Sequence, residues 1–165
     1  MADYMAAHIE IGGKLARCKL NELLSLIYAL SAEDYWSSPP NQAYLQTCAD
    51  ENKPLALYDD QARYGEFEAL ERFCIASNLT FKRKSSPKYE YAGQIRFVSP
   101  AAGEHFIGAT DDGEPYLKLS ELKGYQDEGL TLQEVMAKVA DYDGHVPAFE
   151  LMRKSLALNH VQSQD

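Results

Sequence analysis

The stretch YDDQARYGEF, residues 58–67, sets Asp59, Asp60, Arg63 and Glu66 at the junction of an expected strand and an expected helix. The carboxyl ends of strands are where open α/β sheets often place their chemistry. Hard divalent cations take oxygen ligands, frequently only one or two of them from protein. Asp59, Asp60 and Glu66 offer such oxygens, Arg63 offers a partner for phosphate or carboxylate, and Glu66 suits a general base. The same residues also make a sound helix start. Aspartates bond the local backbone in turns, and acids in a first helical turn gain roughly 0.3–1 kcal/mol each from the helix dipole. Neighbours in a strand point to opposite faces, so Asp59 and Asp60 do not converge on one ion. The four remain candidate ligand-binding residues, with no metal, cofactor or catalytic residue assigned.

Other chemistry finds little footing. Cys18, Cys48 and Cys74 are odd in number and far apart, with no CxxC, which predicts reduced thiols and a cytoplasmic protein. The His8-x-Glu10 pair lacks the P-C-x-x-C that a zinc deaminase needs. Asp141-Tyr142-Asp143-Gly144 starts like a calcium loop, but its closing position is Met152 rather than glutamate. No G-x-S-x-G supports a serine nucleophile. Binding is therefore favoured over catalysis.

Charge is distributed unevenly. The chain of 165 residues has a formal net charge of −9, yet residues 101–150 alone hold 11 acids and 3 bases. Within that segment Asp111, Asp112, Glu114, Asp127, Glu128, Asp141 and Asp143 are candidate partner-binding residues. A negative field repels nucleic acid and favours a basic surface. The 11 tyrosines, including Tyr35, Tyr64, Tyr125 and Tyr142 in or near expected loops, fit a protein interface. Against this, residues 81–97 interleave Lys82, Arg83, Lys84, Lys88 and Arg96 with Tyr89 and Tyr91, a pattern that single-strand binders also use.

The elements that would position these groups follow from periodicity. Ile9 and Ile11 alternate with His8 and Glu10 in a strand that Gly12-Gly13 breaks. Leu20, Leu23, Leu24, Ile27 and Leu30 mark a helix over 16–31, and Ser38-Pro39 a second over 39–50. Tyr35 and Trp36 sit in the loop before it. LALYD is a strand, and Phe67, Leu70, Phe73 and Cys74 line a helix over 65–77. TFKRK and KYEYAGQIRFVS are strands, the second bent at Gly93. Asp112-Gly113 predicts a hairpin between EHFIGAT and PYLKL. A polar linker then leads to a helix over 132–142 capped by Thr131 and Glu134, and Pro147 opens a last helix with Phe149, Met152 and Leu156. The expectation is one α+β domain over 1–158. Its sheet–helix layer spans 5–98, mixed or antiparallel, of split β-α-β or ferredoxin-like flavour, with helices on one face. The acidic hairpin and a C-terminal helical pair fill 99–158, and 159–165 forms a flexible tail.

The functional expectation is a small acidic protein-binding module, an inhibitor or accessory protein that engages a basic, nucleic-acid-binding partner. The first alternative is a small enzyme or ligand-binding domain built on Asp59, Asp60, Arg63 and Glu66. The second is a single-strand nucleic-acid binder using residues 82–96. No apolar run reaches the roughly 18–20 residues needed to span a bilayer, so no membrane partner is expected.

Overall fold

A computed structural model describes residues 3–30 and 40–152. Tyr35, Trp36, the Ser38-Pro39 helix start, Leu156 and the tail lie outside the described residues. The chain is α+β, with a seven-stranded sheet and five α-helices among the described residues. In chain order these are β1 (Tyr4–Ala16), α1 (Leu20–Ala29), α2 (Gln42–Asp50), β2 (Leu55–Arg63), α3 (Glu68–Ala76), β3 (Thr80–Ser85), β4 (Gly93–Ser99), β5 (Gly103–Ala109), β6 (Pro115–Tyr116), α4 (Leu119–Asp127), α5 (Leu132–Tyr142) and β7 (Phe149–Met152).

The sheet order is β2-β1-β3-β4-β5-β6, antiparallel throughout, with β7 added parallel to β1. Both β2 and β3 run antiparallel to β1, so they are parallel to each other and β2-α3-β3 is a split β-α-β unit. From β3 to β6 the chain continues as a meander rather than a second such unit.

Alternation along the strands builds two cores. Ile9 and Ile11 of β1, Leu55 and Leu57 of β2 and Phe81 of β3 meet Leu23, Ile27, Leu45, Leu70 and Cys74 from α1, α2 and α3. On the opposite face Ile95 of β4 and Ile107 of β5 meet Val139 and Tyr142 of α5. Helices therefore cover both faces rather than the one expected, because β4 and β5 present apolar residues on the side away from α1–α3 and need a second cover.

Four local expectations change. The first strand does not stop at Gly12-Gly13. It runs on to Ala16 because β7 lies alongside it, and a Cβ at Gly12 would stand 1.8 Å from the Pro147 carbonyl oxygen. The segment after Pro147 is strand β7 rather than a helix, with Phe149 buried. The polar stretch 119–127 is helix α4, begun by Glu121, whose carboxylate accepts from the Lys118 N–H at 2.6 Å. Strand β4 starts at Gly93, since the Lys88–Tyr91 bridge makes a tight turn with Tyr89 at a φ of 53°. Asn41 caps α2, its side chain accepting from the Tyr44 N–H.

Candidate functional site

The 58–67 cluster stays in extended chain. Asp59 and Asp60 lie within β2 at a bulge opposite Met5 and Ala7, and Asp59 Oδ1 accepts from the Gln61 N–H at 2.8 Å. This bond fixes the bulge, as Asp does in turns. Arg63 lies over the Tyr64 ring, 5.4 Å from its centre, and Glu66 is exposed past the turn at Tyr64 and Gly65, both with positive φ. No group of three or more metal-ligating side chains assembles among the described residues.

The basic stretch 82–96 is divided by the pleat. Arg83 points into the main core side, where its guanidinium approaches Glu71 Oε1 at 2.9 Å and donates to the Gly65 carbonyl at 2.7 Å and to Gln94 at 3.0 Å. Glu71 and Arg83 are each 1 % exposed. The second Glu71 oxygen takes Arg96, which also pairs with Glu104, while Glu71 Oε1 accepts from the Phe67 N–H at 3.1 Å. Burial lowers the Arg83 pKa, and Glu71 counters it. Two cations of the interleaved stretch, Arg83 and Arg96, thus tie the start of α3 to β3 and β4. Tyr89 and Tyr91 sit off the sheet in the turn, so the aromatics do not line a strand face with the lysines. Glu71 carried no motif, and only the register of β3 against α3 brings it to Arg83.

The acidic segment folds around α4 and α5. Of its 11 acids, Glu104, Asp143 and Glu150 pair with cations. Glu121 and Glu134 serve as helix caps. The other six, Asp111, Asp112, Glu114, Asp127, Glu128 and Asp141, are exposed and make no ion pair among the described residues. Asp143 differs from these candidates: it is half-buried, with Lys82 at 3.3 Å and Lys84 at 3.6 Å from Oδ1. Its charge is spent within the fold, which leaves six of the seven acids named from sequence exposed and without an ion pair among the described residues.

Between β6, α4 and α5 runs a mostly apolar groove of about 600 Å³, lined by Tyr116, Leu117, Leu122, Met136 and Val139, with Asp143 as the carboxylate on its wall. Met136 is 63 % exposed, and Leu119 and Leu132, the first residues of α4 and α5, are 68 % and 72 % exposed. Single exposed apolar side chains are ordinary on a protein surface; Met136 and Leu122 differ in lining a common groove. The groove walls are fixed. The Tyr125 phenol of α4 is hydrogen-bonded to Tyr142 of α5, which pushes its pKa up to about 12, and the Tyr142 ring stacks on His105 of β5 at 4.9 Å. Thr131 and Glu134 form the capping box that starts α5. Leu132, Val135, Met136 and Val139 recur at helical spacing along α5, yet the helix turns Val135 inward and leaves Leu132 and Met136 in solvent.

Cys48 and Cys74 are buried, and burial raises both thiols above their ordinary pKa, which favours the inert protonated form. No helix among the described residues is long and apolar enough to cross a membrane. Comparison with protein families, with curated proteins and with solved structures finds no match.

Proposed function

We propose that the chain is a protein-binding module that seats a basic amphipathic helix of its partner in the α4–α5 groove. The observation that carries this reading is the apolar groove lying within the segment that holds six exposed, unpaired carboxylates. An amphipathic helix engages such a groove through apolar anchors at i, i+3 or i+4, and i+7. Lysines and arginines flanking those anchors would meet the acids, and complementary charge raises the association rate and selects the partner. Met136 suits this role, because its unbranched thioether adapts to different anchors. A second copy of the chain is a poorer occupant, since it would bring the same acids to the same place. Basic helices of this kind are common in nucleic-acid-binding proteins, which makes an inhibitor or accessory protein of such a partner the specific form of the proposal. An intracellular setting accords with three free thiols.

The test uses two fluorescent helical peptides with the same apolar anchors, one flanked by lysine and arginine, the other by glutamate. Anisotropy should show the basic peptide binding at least tenfold tighter, with affinity falling as salt rises. Met136→Glu, at an exposed position, should leave the melting temperature in place and remove the binding. Equal affinity for both peptides, or binding untouched by Met136→Glu, overturns the proposal.

A further inference from the structure

The sheet face opposite α1–α3 is covered by α5 only over β4 and β5. Over β1, β2 and β3 it carries two cross-strand rows whose side chains, Ala56 apart, are polar. Tyr58, His8 and Lys84 form one row, and Ala56, Glu10 and Lys82 the next. Residues directly opposite on neighbouring strands have Cβ atoms about 4.5–5.5 Å apart, so each row is a line of touching groups. Two adjoining hollows share His8 and Lys84. One, of about 190 Å³, is enclosed by His8, Glu10, Lys82 and Lys84. The other, of about 150 Å³, is walled by Tyr58, Ser86 and the Thr110–Gly113 hairpin.

The polar groups here are incompletely used. Lys84 donates to the Gly113 carbonyl at 3.1 Å, and both lysines lean on the single carboxylate of Asp143. Two ammonium groups thus share one counter-charge. Glu10 makes no ion pair, and the His8 ring and Tyr58 hydroxyl make no hydrogen bond, among the described residues. Tyr58 is exposed, but His8 and Glu10 are half-buried, and half-buried polar groups without protein partners are held by water or by a ligand.

We propose that this face binds a small zwitterion, a free amino acid or a molecule with the same head group. Glu10 and Lys82 stand side by side, an acceptor next to a donor of opposite charge. Their complement is a molecule that carries an ammonium and a carboxylate on one carbon. A simple anion would meet Glu10 and the net charge of −9. A simple cation would meet Lys82 and Lys84. The zwitterion answers both, its carboxylate on Lys82 and its ammonium on Glu10. The second hollow, with Tyr58, Ser86 and the hairpin, receives the side chain. The neutral His8 ring between the hollows can donate or accept without adding charge.

The experiment titrates the full chain with each of the 20 free amino acids at millimolar concentration, following the His8 and Tyr58 ring signals by NMR and the melting temperature in parallel. Acetate and methylammonium serve as half-ligand probes. At least one amino acid should shift both rings and raise the melting temperature, while acetate and methylammonium bind at least tenfold more weakly. Glu10→Gln and Lys82→Met should each weaken that amino acid at least tenfold while retaining the wild-type fold. If no amino acid moves the two rings, the site takes no zwitterion and the proposal fails. It fails equally if acetate binds as well as the amino acid, or if Glu10→Gln leaves affinity intact, since the face would then be an anion patch. Peptide binding in the α4–α5 groove is read separately, so neither result decides the other.

Discussion

Removing the Glu71 carboxylate tests what holds α3 to the sheet. Glu71→Ala takes away the counter-charge of Arg83 and half that of Arg96, and it frees the Phe67 N–H. Arg83 keeps its bonds to Gly65 and Gln94 but stays buried with no carboxylate. Breaking one side of a buried ion pair costs about 3–5 kcal/mol, because the remaining charge is left uncompensated. For a domain of this size that is a fall in melting temperature of roughly 6–20 °C. Glu68→Ala on the same helix is the control. Its pair with Arg72, at 3.3 Å, is exposed on both sides, and such pairs contribute about 0–1 kcal/mol. Urea denaturation of both variants, with the slope checked for constancy, gives the two values. A double variant, Glu71→Leu with Arg83→Met, should recover most of the loss, since apolar replacement of a whole buried pair is often neutral. Should Glu71→Ala cost no more than Glu68→Ala, the buried pair is not what fixes α3, and the reasoning from burial is wrong.

Burial holds the His8 imidazole below its ordinary value of 6.5; Glu10 draws it up, and Lys84 and Lys82 push it down again. The unfolded chain then binds a proton that the folded chain refuses, so this contribution to stability is whole above pH 6.5 and is lost as pH falls toward the folded value. Urea midpoints at pH 7.5 and 5.5 should differ less in His8→Gln than in the parent, and an unchanged difference would remove His8 as the cause. Gly12→Ala would set a methyl against the Pro147 carbonyl and prise β7 from β1, at a cost of about 3 kcal/mol or more, whereas Gly124→Ala, in α4 with open space around it, should gain about 1 kcal/mol. Thermal melts of the two variants moving in the same direction would contradict this.

Local signals in the sequence were reliable where the structure is itself local. The stripe Leu20, Leu23, Leu24 and Ile27 is the buried face of α1, Thr131 and Glu134 do cap α5, and Asp112-Gly113 does turn a hairpin, with Gly113 at a φ of 75°. The misread segments depend on partners distant in sequence. Phe149–Met152 alternates too briefly to declare a strand, and only β1 makes it one. Gly12-Gly13 looks like a stop when Pro147 is out of view. In the candidate sites, carboxylates named from charge alone do stand exposed in six of seven cases. The groove in the same segment was hidden, because Met136 fits a buried stripe as well as an open one. The row of Tyr58, His8 and Lys84 requires the pairing of three strands, which no window of sequence contains.

Strand β1 has an outcome for how the protein is made. Among the described residues, its last four, Gly13 to Ala16, find their strand partner in Phe149 to Met152. Long-range pairing of this sort delays folding, since loop-closure entropy must be met before the contact gives anything back. On the ribosome, the end of the first strand waits through the synthesis of every other element. Until translation passes Met152, the seat of Phe149 stands open to water, and the nascent chain is at its most vulnerable to clumping or chaperone capture.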